Sequence, residues 1–389
     1  MNALAITPTC AETASLDYPI FKKAMLNACR VVEKRNTIAV LDTVLITARS
    51  GGVDVIGTDL DIYTTTFVPG SVSADFVALI DAHKLKGLMD KVKDAARINF
   101  TLEQGALTAA IGKLRLSLKQ DVPEDDFPLE MAFRSSLQRS NVAFTIRASA
   151  LLTALSKVEF AISTEETRYY LNGVFMHFHE GRGQLTFVAT DGHRLGRYEI
   201  LPPPGCEAMD DAGAIIPRKT VGELLRLLKR KDCPADVAVR VTPTAISFGF
   251  NGEEMLESKL VDGTFPDYQR VMPASNSNQV TARTAEFITA LKQASSISSD
   301  RGKSVKLGIA PEALTLSCSD PDFGSVSTEI YIDTNAEPFE IGFNAQYLLE
   351  ILGQLDGGAM MHLGDAGSPG IIKDGADNAV TYVLMPLRV

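Results

Sequence analysis

Histidine and cysteine are scarce, five of each in 389 residues, and the shortage narrows the chemistry open to this chain before any motif is read. The cysteines (Cys10, Cys29, Cys206, Cys233, Cys318) are odd in number and widely spaced, with no Cys-x-x-C pair to hold zinc or exchange disulfides, so scattered buried thiols are expected. No apolar run approaches the roughly 20 residues that span a bilayer. The first sixteen residues contain no Lys or Arg, so they lack the basic start of a secretory signal and read as a loose extension. A cytoplasmic location without membrane association is expected. Positive charge is also short: the formal net charge is -10, which argues at first against nucleic acid, because phosphates are bound by Lys and Arg that displace counterions.

What is present is the balance of a soluble globular protein, 45% hydrophobic and 22% charged residues, in a chain too long for one ordinary core. A repeat divides it. Strand-like residues 53–56 lead into Thr58, Asp59, Leu60 and Asp61; residues 185–189 lead into Thr190, Asp191, Gly192 and His193; residues 314–318 lead into Ser319, Asp320, Pro321 and Asp322. The turn aspartates are 132 and 129 residues apart, about a third of the chain. A helical pattern follows each hairpin (81–94, 217–232, 344–355) and another opens each repeat (20–35, 148–168, 283–303). In the clearest, Val221, Leu224, Leu225 and Leu228 recur at the spacing of one apolar helix face, behind a Pro217 suited to a first helical turn. Linker-like stretches at 121–128 and 273–278 mark the joins. The expected organisation is an extension (1–16) and three similar α+β domains, 17–139, 140–276 and 277–389. Lys and Arg exceed Asp and Glu within the six helical patterns, while the remainder is acidic. Basic helices on an acidic protein suit an object whose helices face DNA and whose outside repels it, although Lys and Arg also favour helices for their own reasons.

Residues 168–198 carry a more specific signal. Arg168-Tyr169-Tyr170-Leu171-Asn172-Gly173, followed by Thr190-Asp191-Gly192-His193-Arg194-Leu195, resembles the middle domain of the β subunit of bacterial DNA polymerase III, the DNA sliding clamp family. Further matches follow in order: 216–219, 259–268, 341–344 and the terminal Met385-Pro386-Leu387-Arg388-Val389. The resemblance runs from about residue 17 to the end.

That resemblance implies a ring-shaped homodimer of three domains per chain, strands outside and helices lining a central hole. It implies no active site and no cofactor. Such a ring is placed around double-stranded DNA by an ATP-driven loader and confers processivity on the replicative polymerase by topological, sequence-blind linkage. Partners are DNA polymerase III subunits, the clamp loader, other polymerases and repair factors, bound through short peptide motifs. By resemblance the peptide pocket comprises Leu171, Thr190, Gly192, His193, Arg194, Leu195, Pro266, Arg270, Val271, Asn344, Tyr347, Val383, Met385, Pro386, Leu387 and Arg388. DNA-facing positions are Arg35, Tyr169, Tyr170, Arg218 and Lys219; dimer-interface positions are Leu116, Leu118 and Ile297. Apolar walls with an adaptable methionine suit a groove for a motif with aliphatic and aromatic anchors.

Other readings of the same residues are weaker. Asp191 and His193 form a conceivable hydrolase dyad, but no nucleophile motif accompanies them. His177 and His179 alternate on one strand face as a metal pair would, yet no further ligands cluster with them, and a half-exposed strand face is the simpler expectation; no metal is expected. Gly302-Lys303-Ser304 resembles the end of a phosphate-binding loop, but the earlier glycine it requires falls at Ile297. Within the family, a specialised second clamp with altered partners is a further alternative. It is suggested by the long extension, the terminal Leu387-Arg388-Val389, the acidic helix after Asn344 (Glu350, Asp356) and the shortened helix opening the third repeat; Ser296, where the family often has a large apolar residue, implies a weaker ring joint.

Overall fold

The computed structural model describes residues 11–34, 37–103, 105–120, 122–129, 136–209, 213–273, 276–297, 304–322 and 324–388. They form two compact units: Met1–Ala148 with Arg230–Lys259, and Ser149–Lys229 with Leu260–Val389. The three expected repeats therefore do not map one to one onto compact units, and strand pairing explains why. In the first unit, Ile62–Val72 pairs antiparallel with Glu254–Lys259, so strands of the middle repeat extend the first repeat's sheet to twelve strands. In the second unit, Arg194–Ile200 pairs with Val380–Leu384 within a nine-stranded sheet, so the other half of the middle repeat is continuous with the third. A separate four-stranded sheet runs in the order Gly324–Tyr331, Ala313–Asp320, Ser304–Ala310, Phe339–Asn344.

The three turn aspartates share one structural job. Asp59 Oδ1 accepts the backbone N–H groups of Asp61 and Ile62, Asp191 Oδ1 accepts those of His193 and Arg194, and Asp320 Oδ1 accepts that of Asp322. These Asx turns mimic a backbone turn with a side chain, which is why aspartate recurs at that position.

Helices pack on the sheets through short apolar stripes. In Tyr18–Val31, Asp17 caps the first turn by accepting from Ile20 N (3.0 Å), and Phe21, Ala24, Met25 and Ala28 form the buried face. Phe21 meets Phe100 edge to face at 5.3 Å, and Tyr18 Oη donates to Met89 O at the end of the helix Ala82–Met89. The helix Arg218–Leu228 buries Val221, Leu224, Leu225 and Leu228 as the spacing predicts, with Pro217 at the cap rather than inside the first turn.

Helix lengths are the main departure from expectation. The pattern at 148–168 gives only Ala148–Val158, followed by 3-10 turns at Glu159–Ala161 and Glu166–Leu171. The chain leaves the helix at Val158 and is extended at Ile162; beyond it the Ser163 N–H donates to Leu171 O and its hydroxyl accepts from Glu165 N, which holds the following turn. The helix opening the third repeat is Thr284–Ala294 with a 3-10 turn Ser295–Ile297 behind it.

Candidate functional site

In the second unit one apolar cluster draws together residues distant in sequence. Leu171, Leu195 and Val383 pack with Phe175, Val188, Ile215, Phe265 and Tyr268, while Tyr170, Val261 and Met272 lie against it. Local structure delivers each. Leu171 ends the 3-10 turn Glu166–Leu171, and Leu195 lies opposite Val383 in the pairing of Arg194–Ile200 with Val380–Leu384. Phe265 stacks on Phe175 with ring centroids 4.8 Å apart. Tyr268 opens the 3-10 turn Tyr268–Val271, whose cap Asp267 accepts from Gln269 N and pairs with Arg270.

Close to these residues in the chain are exposed apolar side chains: Val271 (46% exposed), three residues after Tyr268, and Met385 (40%) and Leu387 (41%), just beyond Val383. Exposed large hydrophobics gathered beside a buried apolar cluster mark an interaction surface more often than a scattered few would. The terminal segment is tied down by two backbone bonds, Met385 N to His193 O (2.9 Å) and Leu387 N to Gly342 O (2.8 Å). Pro266 and Arg388 are exposed and Pro386 is half-buried. Asn344 caps the helix Ala345–Leu352, accepting from Gln346 N and Tyr347 N, and so fixes where Tyr347 begins its turn.

Arg194 links the turn to that helix. Its Nε donates to Asp191 Oδ2 (3.0 Å), Nη1 to Glu350 and Nη2 to Phe160 O (2.7 Å). The guanidinium also lies 4.3 Å from the Tyr347 ring centroid and 5.1 Å from that of Phe160, with its side chain only 9% exposed. A buried cation so paired and stacked is held in one place, and arginine alone supplies the flat fork this requires. Asp191 is therefore occupied by the turn and by Arg194, and His193 lies alongside Tyr347 with centroids 6.3 Å apart. This arrangement positions a surface rather than a dyad. Phe160, Phe175, Phe265, Tyr268 and Glu350 are participants that sequence reasoning did not select. The acidity of Glu350, noted as a departure, is explained by its bond to Arg194.

His177 corrects another expectation. It is buried rather than half-exposed, stacks on Phe175 (4.7 Å) and has Nε2 3.1 Å from Tyr268 Oη, so it helps build the floor. Among the DNA-facing candidates, Arg35 lies outside the described residues. Tyr169 and Tyr170 sit in the 3-10 turn with their rings edge to face at 5.8 Å, Tyr169 exposed and Tyr170 half-buried. Arg218 N donates to Asn172 O, so this turn and the exposed Arg218 and Lys219 at the start of Arg218–Leu228 are neighbours. The bond from Arg168 holds the Glu165 carboxyl below the usual carboxylate range, keeping a charged pair beside the tyrosines. Leu116 and Leu118 lie on Leu114–Leu118, the last strand of the twelve-stranded sheet among the described residues, and pack partly against the first repeat's core; Ile297 ends the turn Ser295–Ile297.

Comparison with known proteins is consistent along the whole chain. Family models of the DNA polymerase III beta subunit match its N-terminal domain at residues 19–131, its central domain at 145–267 and its C-terminal domain at 269–388. The chain is 38% identical over 378 residues to a beta sliding clamp of Caulobacter vibrioides, covering 94% of this chain and 97% of that protein. It is similar to the structure of a sliding clamp (DNA polymerase III subunit beta) from Bartonella birtlesii bound to griselimycin, with 39% identity, a TM-score of 0.90, and 98% and 100% of the two chains covered. A beta sliding clamp of C. crescentus with polyethylene glycol bound to a proposed beta-motif tethering region is similar at 35% identity, with the same coverage and TM-score. None of these relatives is named as a specialised second clamp. The chain belongs to the DNA polymerase III beta subunit family, the DNA sliding clamps, built from three clamp domains of mixed helix and sheet.

Proposed function

We propose that this clamp captures partner peptides in the cluster of Leu171, Leu195, Val383, Phe265 and Tyr268, with Thr190, Gly192, His193, Pro266, Arg270, Val271, Asn344, Tyr347 and Met385 to Arg388 at its margin. The observation that carries the reading is the buried apolar floor beside the exposed Val271, Met385 and Leu387. A motif resembling Gln-Leu-x-Leu-Phe would bury leucine and aromatic side chains there, each contributing about 1.5–3 kcal/mol. Part of that gain is lost in ordering a short flexible peptide, so affinity is modest, as exchange between DNA polymerase III subunits, the clamp loader and repair factors demands.

On this reading Arg194 orients the surface and does not bind the peptide through free donors. No step of chemistry is assigned, and the protein has no catalytic turnover. It works in the cytoplasm; among the described residues no helix is long and apolar enough to cross a membrane. The domain limits follow the repeats, 17–139, 140–276 and 277–389.

DNA passes through a ring of two chains joined head to tail. Six helices among the described residues, Tyr18–Val31, Ala82–Met89, Ala148–Val158, Arg218–Leu228, Thr284–Ala294 and Ala345–Leu352, hold ten Lys and Arg against three Asp and Glu, in a chain whose net charge is -10. That contrast supports the helices as the DNA-facing surface, with Tyr169, Tyr170, Arg218, Lys219 and Arg35 contributing contacts that do not read sequence. Leu114–Leu118 and Gly324–Tyr331 each end a sheet among the described residues, which supports joining the first repeat of one chain to the third of another through Leu116, Leu118 and Ile297. The test is retention after loading: the protein stays on circular DNA and is lost from the same DNA once linearised. Equal retention on both at moderate salt would refute the ring, because binding by contact does not depend on ends.

A further inference from the structure

The first repeat contains a second copy of the pocket's frame, and it is filled. The turn at 58–62 and the turn at 190–194 agree bond by bond. Leu60 N and Gly192 N donate to Thr58 Oγ1 (2.9 Å) and Thr190 Oγ1 (3.1 Å); Asp61 N and His193 N donate to the preceding aspartate at 3.0 and 2.9 Å. The residue in the left-handed conformation is Leu60 (φ 82°) in one and Gly192 (φ 87°) in the other.

Beneath each turn lies a matching floor. Leu45 pairs with Ile56 and Leu79, in the register in which Phe175 pairs with Val188 and Ile215. Leu41 and Leu171 each stand two residues before the first of these strands, and Phe127-Pro128 corresponds to Phe265-Pro266. The first floor is the cluster Val40, Leu41, Leu45, Ile56, Leu79 and Phe127, and Leu60 packs against it. Leucine is poorly suited to a positive φ, so its presence there needs compensation, and packing on that floor supplies it. At Gly192 there is no side chain, and the space where a Cβ would stand is bordered at 2.5 Å only by the end of the flexible Arg168 side chain.

We propose that Leu60 is a built-in occupant of the first repeat's apolar pocket, standing in for the leucine of a partner peptide. The residue at this turn position, leucine or glycine, then decides which repeat accepts a peptide. The inference rests on the peptide-pocket reading of the second repeat, and two walls sharpen it. Where Val383 lies opposite Leu195, the first repeat has the buried Glu257 opposite Tyr63, and where Met385 N bonds His193 O, Lys259 N bonds Asp61 O. The first site is therefore filled by Leu60 and bordered by a buried Glu257, where the second has a glycine and the apolar Val383.

The test fills the second pocket as the first is filled. A fluorescent Gln-Leu-Ser-Leu-Phe peptide is titrated into the full-length wild type, Gly192→Leu, Gly192→Ala and a chain lacking residues 385–389. Gly192→Leu should weaken binding at least tenfold while still folding, since Leu60 shows that this turn accepts leucine where a floor packs against it. Gly192→Ala carries the same strain of a side chain at positive φ but adds only a methyl group toward Arg168, so it should lose markedly less affinity than Gly192→Leu. Equal losses in both variants would assign the effect to turn strain and overturn the proposal. Wild-type affinity in Gly192→Leu together with lost binding in the truncated chain would also overturn it, while leaving the pocket reading intact. Wild-type affinity in every variant would refute the pocket reading itself. If Gly192→Leu fails to fold, Leu60→Ala decides: added peptide should bind it no better than wild type at the first site beside Glu257, yet its unfolding midpoint should fall. An unchanged midpoint would show that Leu60 fills nothing.

Discussion

The two places where strands of successive repeats join share a backbone pairing but differ at key positions, with Glu257 opposite Tyr63 at one and Val383 opposite Leu195 at the other. At the first, Ile62–Val72 meets Glu254–Lys259, and a buried polar network lies against the pairing. Glu254 takes both guanidinium nitrogens of Arg230 and the amide of Asn27 from the helix Tyr18–Val31. At the second, Arg194–Ile200 meets Val380–Leu384: Leu195 faces Val383 and Gly196 faces Tyr382, the buried Arg197 is taken up by Thr381 and Glu199, and Arg194 is drawn to Asp191, Glu350 and Phe160. Repetition supplied two equivalent joints. On the proposed reading Leu60 and Glu257 close one, whereas Gly192, Val383 and Met385 leave the other available.

The comparison can be broken at the first joint with the largest effect. Glu254→Ala removes the carboxylate that takes up the half-buried Arg230 and the amide of Asn27, leaving Arg230 with Asp232 at 3.6 Å, and should destabilise the protein by about 2–3 kcal/mol, read from denaturant unfolding, with peptide affinity unchanged. At the second joint, Arg194→Lys keeps the charge but loses the fork and the stacking on Tyr347. A loss of about 2 kcal/mol is expected, together with weaker peptide binding because the turn and the helix Ala345–Leu352 are no longer tied. A stable variant with wild-type peptide affinity would remove Arg194 from the account.

A smaller, pH-dependent effect sharpens the same comparison. Asp374 is fully buried beside the chain's return to the second joint, and burial alone would raise its pKa. The backbone N–H groups of Ala376, Asp356 and Gly357, with Lys157 nearby, outweigh burial and hold the carboxyl below its usual range. A carboxyl depressed in the folded state contributes stability above its unfolded value of about 3.9 and loses it as pH falls through the folded value. Asp374→Asn should therefore lower stability at neutral pH and flatten the acid dependence below about pH 4. An acid profile parallel to the wild type would show that this group does not carry the effect.

Much of this was legible because its causes are local. An aspartate that bonds two residues ahead makes the turns at Asp59, Asp191 and Asp320 readable from spacing alone, and the stripe of Val221, Leu224, Leu225 and Leu228 declares its helix. The pocket residues came from motif resemblance, and the structure draws Leu171, Leu195 and Val383 to one floor. What escaped is long-range. Nothing in the chain around Phe160 or Glu350 indicates that both converge on Arg194, and His177 hides its burial because Tyr268 lies 91 residues away. The apolar spacing at 148–168 continues past Val158, where the helix gives way to 3-10 turns, so the pattern alone does not mark that end. The division of the middle repeat between two units depends on strand pairing across the chain, which spacing within a repeat does not encode.

The central claim is that one joint of the two binds peptide. Calorimetric titration of the Gln-Leu-Ser-Leu-Phe peptide into the full-length protein, and into the chain lacking residues 385–389, tests it most directly. The account predicts one equivalent per chain for the intact protein and none for the truncated one. Two equivalents per chain, or binding that survives the truncation, would contradict it.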